Sequence, residues 1–202
     1  ITKYNNEIYN FHLSKNVYLE GNFETDKYFN HIKDNIKREF TFLDIEKFKQ
    51  SFFYDKVNKR DSVSICLRQN RFIEGKKRYN ESNKLKSEKF KNEQIKYINK
   101  SMHFIKNTIK NPLFYLWSND LNNLDQHFPF DTYHPVNKTN IGLELFLMTQ
   151  AKHFIVIPST YNWWGAWLSN AKNKTIIRPS ERVFTNFEVN NKDFWPDNWI
   201  SI

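Results

Sequence analysis

Three short polar clusters carry the residues of this chain that could do chemistry. The first follows the run His153-Phe-Ile-Val-Ile-Pro158. It reads Ser159-Thr160-Tyr161-Asn162 and leads into Trp163-Trp-Gly-Ala-Trp-Leu168. The apolar, β-branched run predicts a buried strand. Ser159 and Thr160 are both good N-cap residues, and the Trp-rich block predicts a helix. A strand that turns through Ser-Thr into a helix presents backbone N–H groups and a positive dipole end at the sheet edge, which suits phosphate. The same pattern also fits a core strand–helix unit with a polar turn. The second cluster is Arg68-Gln69-Asn70-Arg71, and the third is Ser118-Asn119-Asp120. Arginine suits a diphosphate because its fork makes two parallel hydrogen bonds at fixed charge. Aspartate suits ribose hydroxyls or a base edge that donates. Each cluster alone reads equally well as a solvated loop, but together at three strand ends they point to a nucleotide-diphosphate pocket.

The elements that must position these clusters form an alternating series. Asp61–Arg68 has Val63, Ile65 and Leu67 on one face and predicts a strand. A basic loop to about Phe90 and a helix over about Asn92–Lys110 follow, with Pro112 as its stop. Leu113–Ser118 is the next strand. Thr139 or Asn140 caps a helix through Leu143, Leu147 and Ala151. The strand and helix around Ser159 come next, then a last strand at Thr175–Arg178 and an aromatic, irregular tail from Pro179. This order predicts an α/β fold, a Rossmann-like parallel sheet with right-handed crossovers and helices on both faces. In such sheets ligands bind beyond the carboxyl ends of the strands, where all three clusters lie. Upstream, a short strand at Asn16–Glu20 is expected. A helix capped by Thr25 and carrying Tyr28, Phe29, Ile32, Ile36 and Phe40 follows, and then a second helix at Asp44–Phe53.

Composition narrows the partners. The 202 residues include 19 Phe, 10 Tyr and 6 Trp, a globular composition. No apolar run approaches the ~20 residues of a membrane span. The N-terminus is polar and lacks both an initiating Met and a signal peptide, so a piece of a longer protein is expected. One cysteine, Cys66, fits a reducing, cytoplasmic compartment. The formal charge is +9. Most of it falls between Lys76 and Lys110, a stretch suited to an anionic membrane surface, nucleic acid or a nucleotide diphosphate, or simply solvated. Nucleic acid is not the expected partner; the stretch allows peripheral contact with the inner face of a membrane but does not require it, since such charge runs are usually solvated. Gly-x-Gly-x-x-Gly and Walker A sequences are absent, which disfavours NAD and ATP P-loop readings. With no Asp-x-Asp and no His-Glu-x-x-His, no dedicated metal site is expected. The six scattered histidines and Cys66 read as structural.

At this point the residues resemble a known family. Ser159-Thr-Tyr-Asn-Trp-Trp-Gly-Ala-Trp-Leu168 is similar to the Ser-Thr/Ser-Phe-Ser-Trp-Trp-Gly-Ala-Trp-Leu signature of the α-1,2-fucosyltransferases, glycosyltransferase family 11. Leu147-Met148 and Lys152-His153 match its lead-in. Tyr18-Leu-Glu-Gly-Asn-Phe23 resembles Tyr-Leu-x-Gly-Tyr-Phe, and Trp117-Ser-Asn-Asp120 resembles Phe-Ser-Asp-Asp. Departures are concentrated elsewhere. The family's His-x-Arg-Arg-Gly-Asp falls on Cys66-Leu67-Arg68-Gln69-Asn70-Arg71, where only the first arginine is kept, as Arg68. Asn119 replaces an aspartate, and the N-terminal Gly-Gly-Leu-Gly-Asn-Gln loop is absent.

The resemblance implies the C-terminal, donor-binding half of a two-domain GT-B glycosyltransferase. Residues 1–56 would be the end of the acceptor-side domain and a linker, and residues 57–202 the nucleotide-sugar-binding domain. It implies inverting, metal-independent transfer of fucose from GDP-fucose to a hydroxyl of a glycan acceptor, with no further cofactor. Arg68 would act on the leaving diphosphate together with the helix start at Ser159 and Thr160. Ser118, Asn119, Asp120, Tyr161 and Asn162 would complete the donor pocket, and a general base is not identified. A different nucleotide-sugar donor on the same fold is one alternative, because Cys66, Arg71 and Asn119 alter positions that help read guanine; a non-enzymatic basic module that binds nucleic acid or anionic membrane through Lys76–Lys110 is the other.

Overall fold

The computed structural model describes residues 4–10, 16–59, 61–75, 78–128, 134–136, 140–187 and 192–202. Its centre is a six-stranded sheet in the order β3-β2-β1-β4-β5-β6, with every pairing parallel. The strands are β1 (Ser62–Leu67), β2 (Leu113–Ser118), β3 (His134–Pro135), β4 (His153–Ile155), β5 (Ile176–Arg178) and β6 (Ile200–Ser201). β1 pairs with β2 on one side and β4 on the other, so the winding direction reverses at β1, the crevice where ligands bind in such folds. All six residues of β1 are buried, not only the alternate ones, because helices cover both faces of the sheet. Ser62 tolerates this by donating its hydroxyl to the Lys59 carbonyl at 2.8 Å.

The helix that crosses from β1 to β2 is longer than its hydropathy suggests. α4 spans Glu81–Thr108, so the expected loop to Phe90 ends instead at Asn80, whose Oδ1 accepts the Asn83 amide at 2.8 Å. Its buried stripe includes Ser87, Gln94 and Ser101 among Phe90, Tyr97, Ile98, Met102 and Ile105. Those polar core residues dilute the apolar periodicity, and each is hydrogen-bonded inside. The lysines of this stretch lie mainly on the outer face. Lys76 and Lys77, at its start, are outside the described residues.

α5 (Ile141–Gln150) is capped by Asn140, whose Oδ1 accepts the Leu143 amide at 2.7 Å; Thr139, the other candidate cap, lies outside the described residues. α6 (Thr160–Leu168) packs closely on α5 through Gly165. A Cβ at Gly165 would lie 3.2 Å from Met148 Cβ.

The N-terminal expectations are corrected. No strand forms at residues 16–20, which are exposed. The helix predicted from Thr25 breaks into two single turns, Asp26–Tyr28 and Asn30–Ile32, before α1 (Lys33–Glu39). Phe29 causes the break: it leaves helical geometry at φ −137° and stacks on Trp164, with ring centroids 5.6 Å apart. The Asp44–Phe53 helix is reduced to α2 (Ile45–Lys49), and a separate short α3 (Tyr54–Val57) follows. Phe48 and Val57 join the main core, where Phe48 meets Phe146 of α5. The tail after Pro179 is more ordered than expected: β6 completes the sheet edge, and Trp195 and Trp199 are buried.

Candidate active site

A cleft of about 520 Å³ opens at the carboxyl ends of β1 and β2, beside the N-termini of α5 and α6. Six of the residues singled out in the sequence line it: Arg68, Ser118, Asn119, Ser159, Tyr161 and Asn162. Two do not. Thr160 is the first residue of α6 and turns to a smaller neighbouring hollow of about 210 Å³ with Phe29, Trp163 and Trp164. Asp120 is absorbed in the turn after β2, where its carbonyl accepts Gln69 Nε2 at 2.6 Å and its Oδ1 accepts the Asn122 amide at 3.0 Å.

Arg68 is held from two directions. Its backbone N–H donates to Gln94 Oε1 at 2.9 Å, and Gln94 Nε2 donates back to its carbonyl at 2.8 Å. Its guanidinium is engaged by Glu74, with Nε to Oε1 at 3.2 Å and Nη2 to Oε2 at 2.5 Å. Glu74 also lines the cleft. The second motif arginine is Gln69 here, but another guanidinium stands close by. Arg71 Nη1 donates to the Pro158 carbonyl at 2.7 Å, one residue before the α6 cap, and lies over the Phe90 ring. Burial, then Arg68, push the Arg71 guanidinium below its ordinary value. Asn70, where the motif has glycine, adopts φ 57°, the left-handed conformation that asparagine tolerates best after glycine.

Asn119 works as a clamp between strands. Its Oδ1 accepts the Gln69 amide and its Nδ2 donates to the Gln69 carbonyl, both at 2.7 Å. The side chain thus extends the β1–β2 ladder past Ser118. Asparagine can bond in both directions here, whereas the ionised aspartate it replaces only accepts.

Ser159 takes the N-cap position of α6 with an extended backbone, but its hydroxyl makes no capping bond. The first-turn amides of α6 have no intrahelical acceptor, so the helix start faces the cleft as a donor array. Tyr161 donates its hydroxyl to the Ile141 carbonyl at 2.9 Å and ties α6 to the start of α5. Burial, then the charge of Glu144, raise that phenol far above its ordinary value. Trp163 donates Nε1 to the Phe194 carbonyl at 2.9 Å and stacks on Trp167, so it packs rather than reacts.

Sequence reasoning missed Glu74, Trp117 and Glu144 on the cleft wall, together with the apolar Leu67, Val136, Ile141 and Met148. Glu74 carried a signal, as the acid in an otherwise basic loop; the others depend on how β2 and α5 face each other. On two of the lining residues one atom each, Trp117 Nε1 and Asn162 Oδ1, is buried without a hydrogen-bond partner. Cys66, at the motif's histidine position, is core, and burial pushes its thiol far up. His153 sits at the opposite end of β4, where its Nδ1 accepts the Thr175 amide at 3.1 Å. Among the described residues, no three His, Cys, Asp or Glu side chains cluster as metal ligands.

Comparison with known proteins agrees with this architecture. The chain is 29% identical over 111 residues to the O-antigen biosynthesis glycosyltransferase WbnK of Escherichia coli, which covers 52% of the chain and 35% of that protein. It is 24% identical over 187 residues to an alpha-1,2-colitosyltransferase of Escherichia coli, covering 90% of the chain and 61% of that protein. The chain therefore spans about a third to three-fifths of the relatives it matches. No solved structure matches significantly. The profile of Glycosyl transferase family 11 matches residues 2–202, and with that match across the α/β sheet and its cleft the chain belongs to glycosyltransferase family 11.

Proposed function

We propose that this chain binds the nucleotide-sugar donor of a glycosyltransferase that transfers a sugar, with inversion, to a hydroxyl of a glycan acceptor. The observation that carries the reading is that Arg68 and the α6 helix start line one cleft, with Arg71 bonded to the Pro158 carbonyl just before that start. As the glycosyl bond breaks, negative charge builds on the departing diphosphate. Fixed donors already aimed at that charge lower the barrier without reorganising, often the largest contribution to catalysis. Arg68 would meet it with its remaining N–H groups, and Ser159 and the first α6 amides would bind the other phosphate oxygens. Arg71 supplies a second positive charge where the family motif places an arginine two positions earlier. Tyr161 and the apolar wall exclude water from the breaking bond.

GDP-fucose is the favoured donor and an α-1,2 linkage the favoured product, on the family signature at Ser159–Leu168. A specific observation supports a second donor on the same fold. Of the residues that depart from the family motif, Asn119 lines the cleft, Gln69 is clamped by Asn119 and Arg71 bonds the Pro158 carbonyl, and a relative of this chain is named for colitose rather than fucose transfer. Calorimetric titration with GDP, UDP and ADP separates the two. Preference for GDP with at least a tenfold loss in Arg68→Ala is expected; unchanged affinity in Arg68→Ala would remove Arg68 from the donor site. The assignment of residues 1–56 to the acceptor side belongs to the same proposal.

A further inference from the structure

A second hollow adjoins the cleft across the start of α6. It measures about 210 Å³, room for about seven waters at the ~30 Å³ each takes in the liquid. That is the scale of one sugar ring and well short of a nucleotide. Residues 22–29 form one side of it, and Thr160 and Trp164 of α6 form part of the other. Phe23, Phe29 and Trp164, all half-buried, supply an aromatic wall. Asn22, Glu24 and Thr160 are exposed, so their polar ends are open to a ligand. The wall is braced, because Trp164 stacks on both Phe29 and Phe40, with ring centroids 5.6 and 5.8 Å away. Phe23 holds φ 50°, the left-handed region that a bulky side chain seldom enters. Its carbonyl accepts the Thr25 amide at 2.9 Å, which fixes the turn. Strain of this kind persists where the surroundings over-determine it, and it gathers at ligand sites.

We propose that this hollow is an acceptor subsite that takes one uncharged sugar ring, with the Glu24 carboxylate accepting a hydrogen bond from one of its hydroxyls; the inference rests on the donor-site reading above. A sugar is apolar on its C–H faces and polar at its rim, which matches an aromatic wall edged by an amide, a carboxylate and a hydroxyl. Small-molecule sites share this build, an apolar lining with a few placed polar groups. The carboxylate selects the occupant. It repels phosphate and other anions, and it makes a strong, charge-assisted bond to a neutral hydroxyl. Position fits the role as well. Thr160 directly follows Ser159, which lines the larger cleft. Burial and Arg68 hold the Arg71 guanidinium below its ordinary value, and the charge of Glu24 is among those that oppose them, so Glu24 is within electrostatic reach of Arg71. Arg71 in turn bonds the Pro158 carbonyl beside the α6 start. A ring held in the hollow is therefore next to the helix start at which the donor's diphosphate departs.

The test titrates the parent chain with methyl β-galactoside, methyl β-glucoside and N-acetylglucosamine at saturating GDP, followed by saturation-transfer NMR. Glu24→Ala and Glu24→Gln are compared with the parent, and GDP affinity is measured for each by calorimetry. Glu24 is exposed, so neither change threatens the fold. The parent is expected to bind at least one glycoside. Glu24→Ala should weaken it about tenfold, the loss of a hydrogen bond to a charged group. Glu24→Gln should restore part of that loss, because its amide oxygen still accepts. GDP affinity should stay at the parent value in both. Unchanged glycoside affinity in Glu24→Ala overturns the proposal, and so does a parent that binds GDP but none of the three glycosides; both results leave the donor-site reading standing. An equal loss of GDP affinity in Glu24→Ala would move Glu24 to the donor cleft and overturns the proposal too. If the parent does not bind GDP, the donor-site reading fails and this inference with it.

Discussion

Gln94, from the middle of α4, pairs with the backbone of Arg68 in both directions, accepting its N–H at 2.9 Å and donating to its carbonyl at 2.8 Å. A fully buried side-chain amide thus replaces the strand neighbour that β1 loses at its end. The principal cation of the cleft is set by a residue that never reaches the cleft. Gln94→Leu keeps the volume and strips both bonds. Leaving a part-buried N–H and carbonyl unpaired is expected to cost about 2 kcal/mol, read as a lower urea midpoint at constant slope. It should also weaken GDP binding; a variant with parent stability and affinity would deny Gln94 this role.

Glu74 competes with any anion for Arg68. Their contact is short but half-exposed, so as an ion pair it contributes little to stability. Its larger effect is on charge in the cleft. A carboxylate beside the diphosphate site opposes binding by about 0.5–1 kcal/mol at solvent-like screening. Glu74→Gln keeps a hydrogen-bond acceptor for Arg68 and removes the charge. GDP is expected to bind about threefold more tightly, measured by calorimetry at low salt, and the gain should shrink at high salt. Weaker binding would mean that the carboxylate positions the guanidinium instead.

Gly165 is the point where α6 meets α5. A Cβ there would approach Met148 Cβ to 3.2 Å and Sδ to 3.4 Å, and Met148 is a cleft residue. Valine adds two carbons beyond that contact, between helix backbones that cannot part without opening the core. Gly165→Val is expected to destabilise the fold by about 2 kcal/mol or more and to reduce nucleotide affinity through the shifted Met148. Retained affinity alongside lost stability would separate the core from the cleft.

Much of this architecture was legible because the elements that build it are apolar and short. Leu113–Ser118 forms a strand over the residues its composition predicts, and the strand–turn–helix at His153–Leu168 places Ser159 and Asn162 on the cleft. Three features were hidden for physical reasons. α4 starts eleven residues before its expected start at Asn92, because its first turns are largely polar and Ser87 occupies a core position that hydropathy scores as surface. β6 is two residues long and owes its existence to pairing with β5. Trp117 lies on a strand whose middle is buried throughout, so no alternation marks a cleft-facing side chain. What a sequence shows poorly here is polar chemistry turned inward, whether it braces the fold, as with Gln94, or lines the cleft, as with Asn162.

Lys174 closes the far end of α6, donating to the carbonyls of Ala166 at 3.0 Å and Ser169 at 2.7 Å. Cations suit a helix C-terminus, but this one is largely buried and Lys37 donates to the same Ser169 carbonyl at 3.3 Å. Burial, then Lys37, bring the Lys174 ammonium down to about 8. The folded value lies below the ordinary 10.5, so the unfolded chain binds more protons between pH 8 and 10.5. The contribution of Lys174 to stability therefore rises as pH increases through that window and is flat below it. Cys66 acts in the opposite sense, since its raised thiol holds a proton that the unfolded chain releases above about pH 9. Between pH 8 and 9 the cysteine effect is small, while Lys37, whose ammonium burial also lowers, acts in the same sense as Lys174. The parent should gain stability there, by no more than about 1 kcal/mol after allowance for the solvent-exposed part of the side chain. The gain should shrink in Lys174→Met, with urea midpoints compared at pH 7, 8 and 9. An equal rise in both proteins would assign the effect to another group.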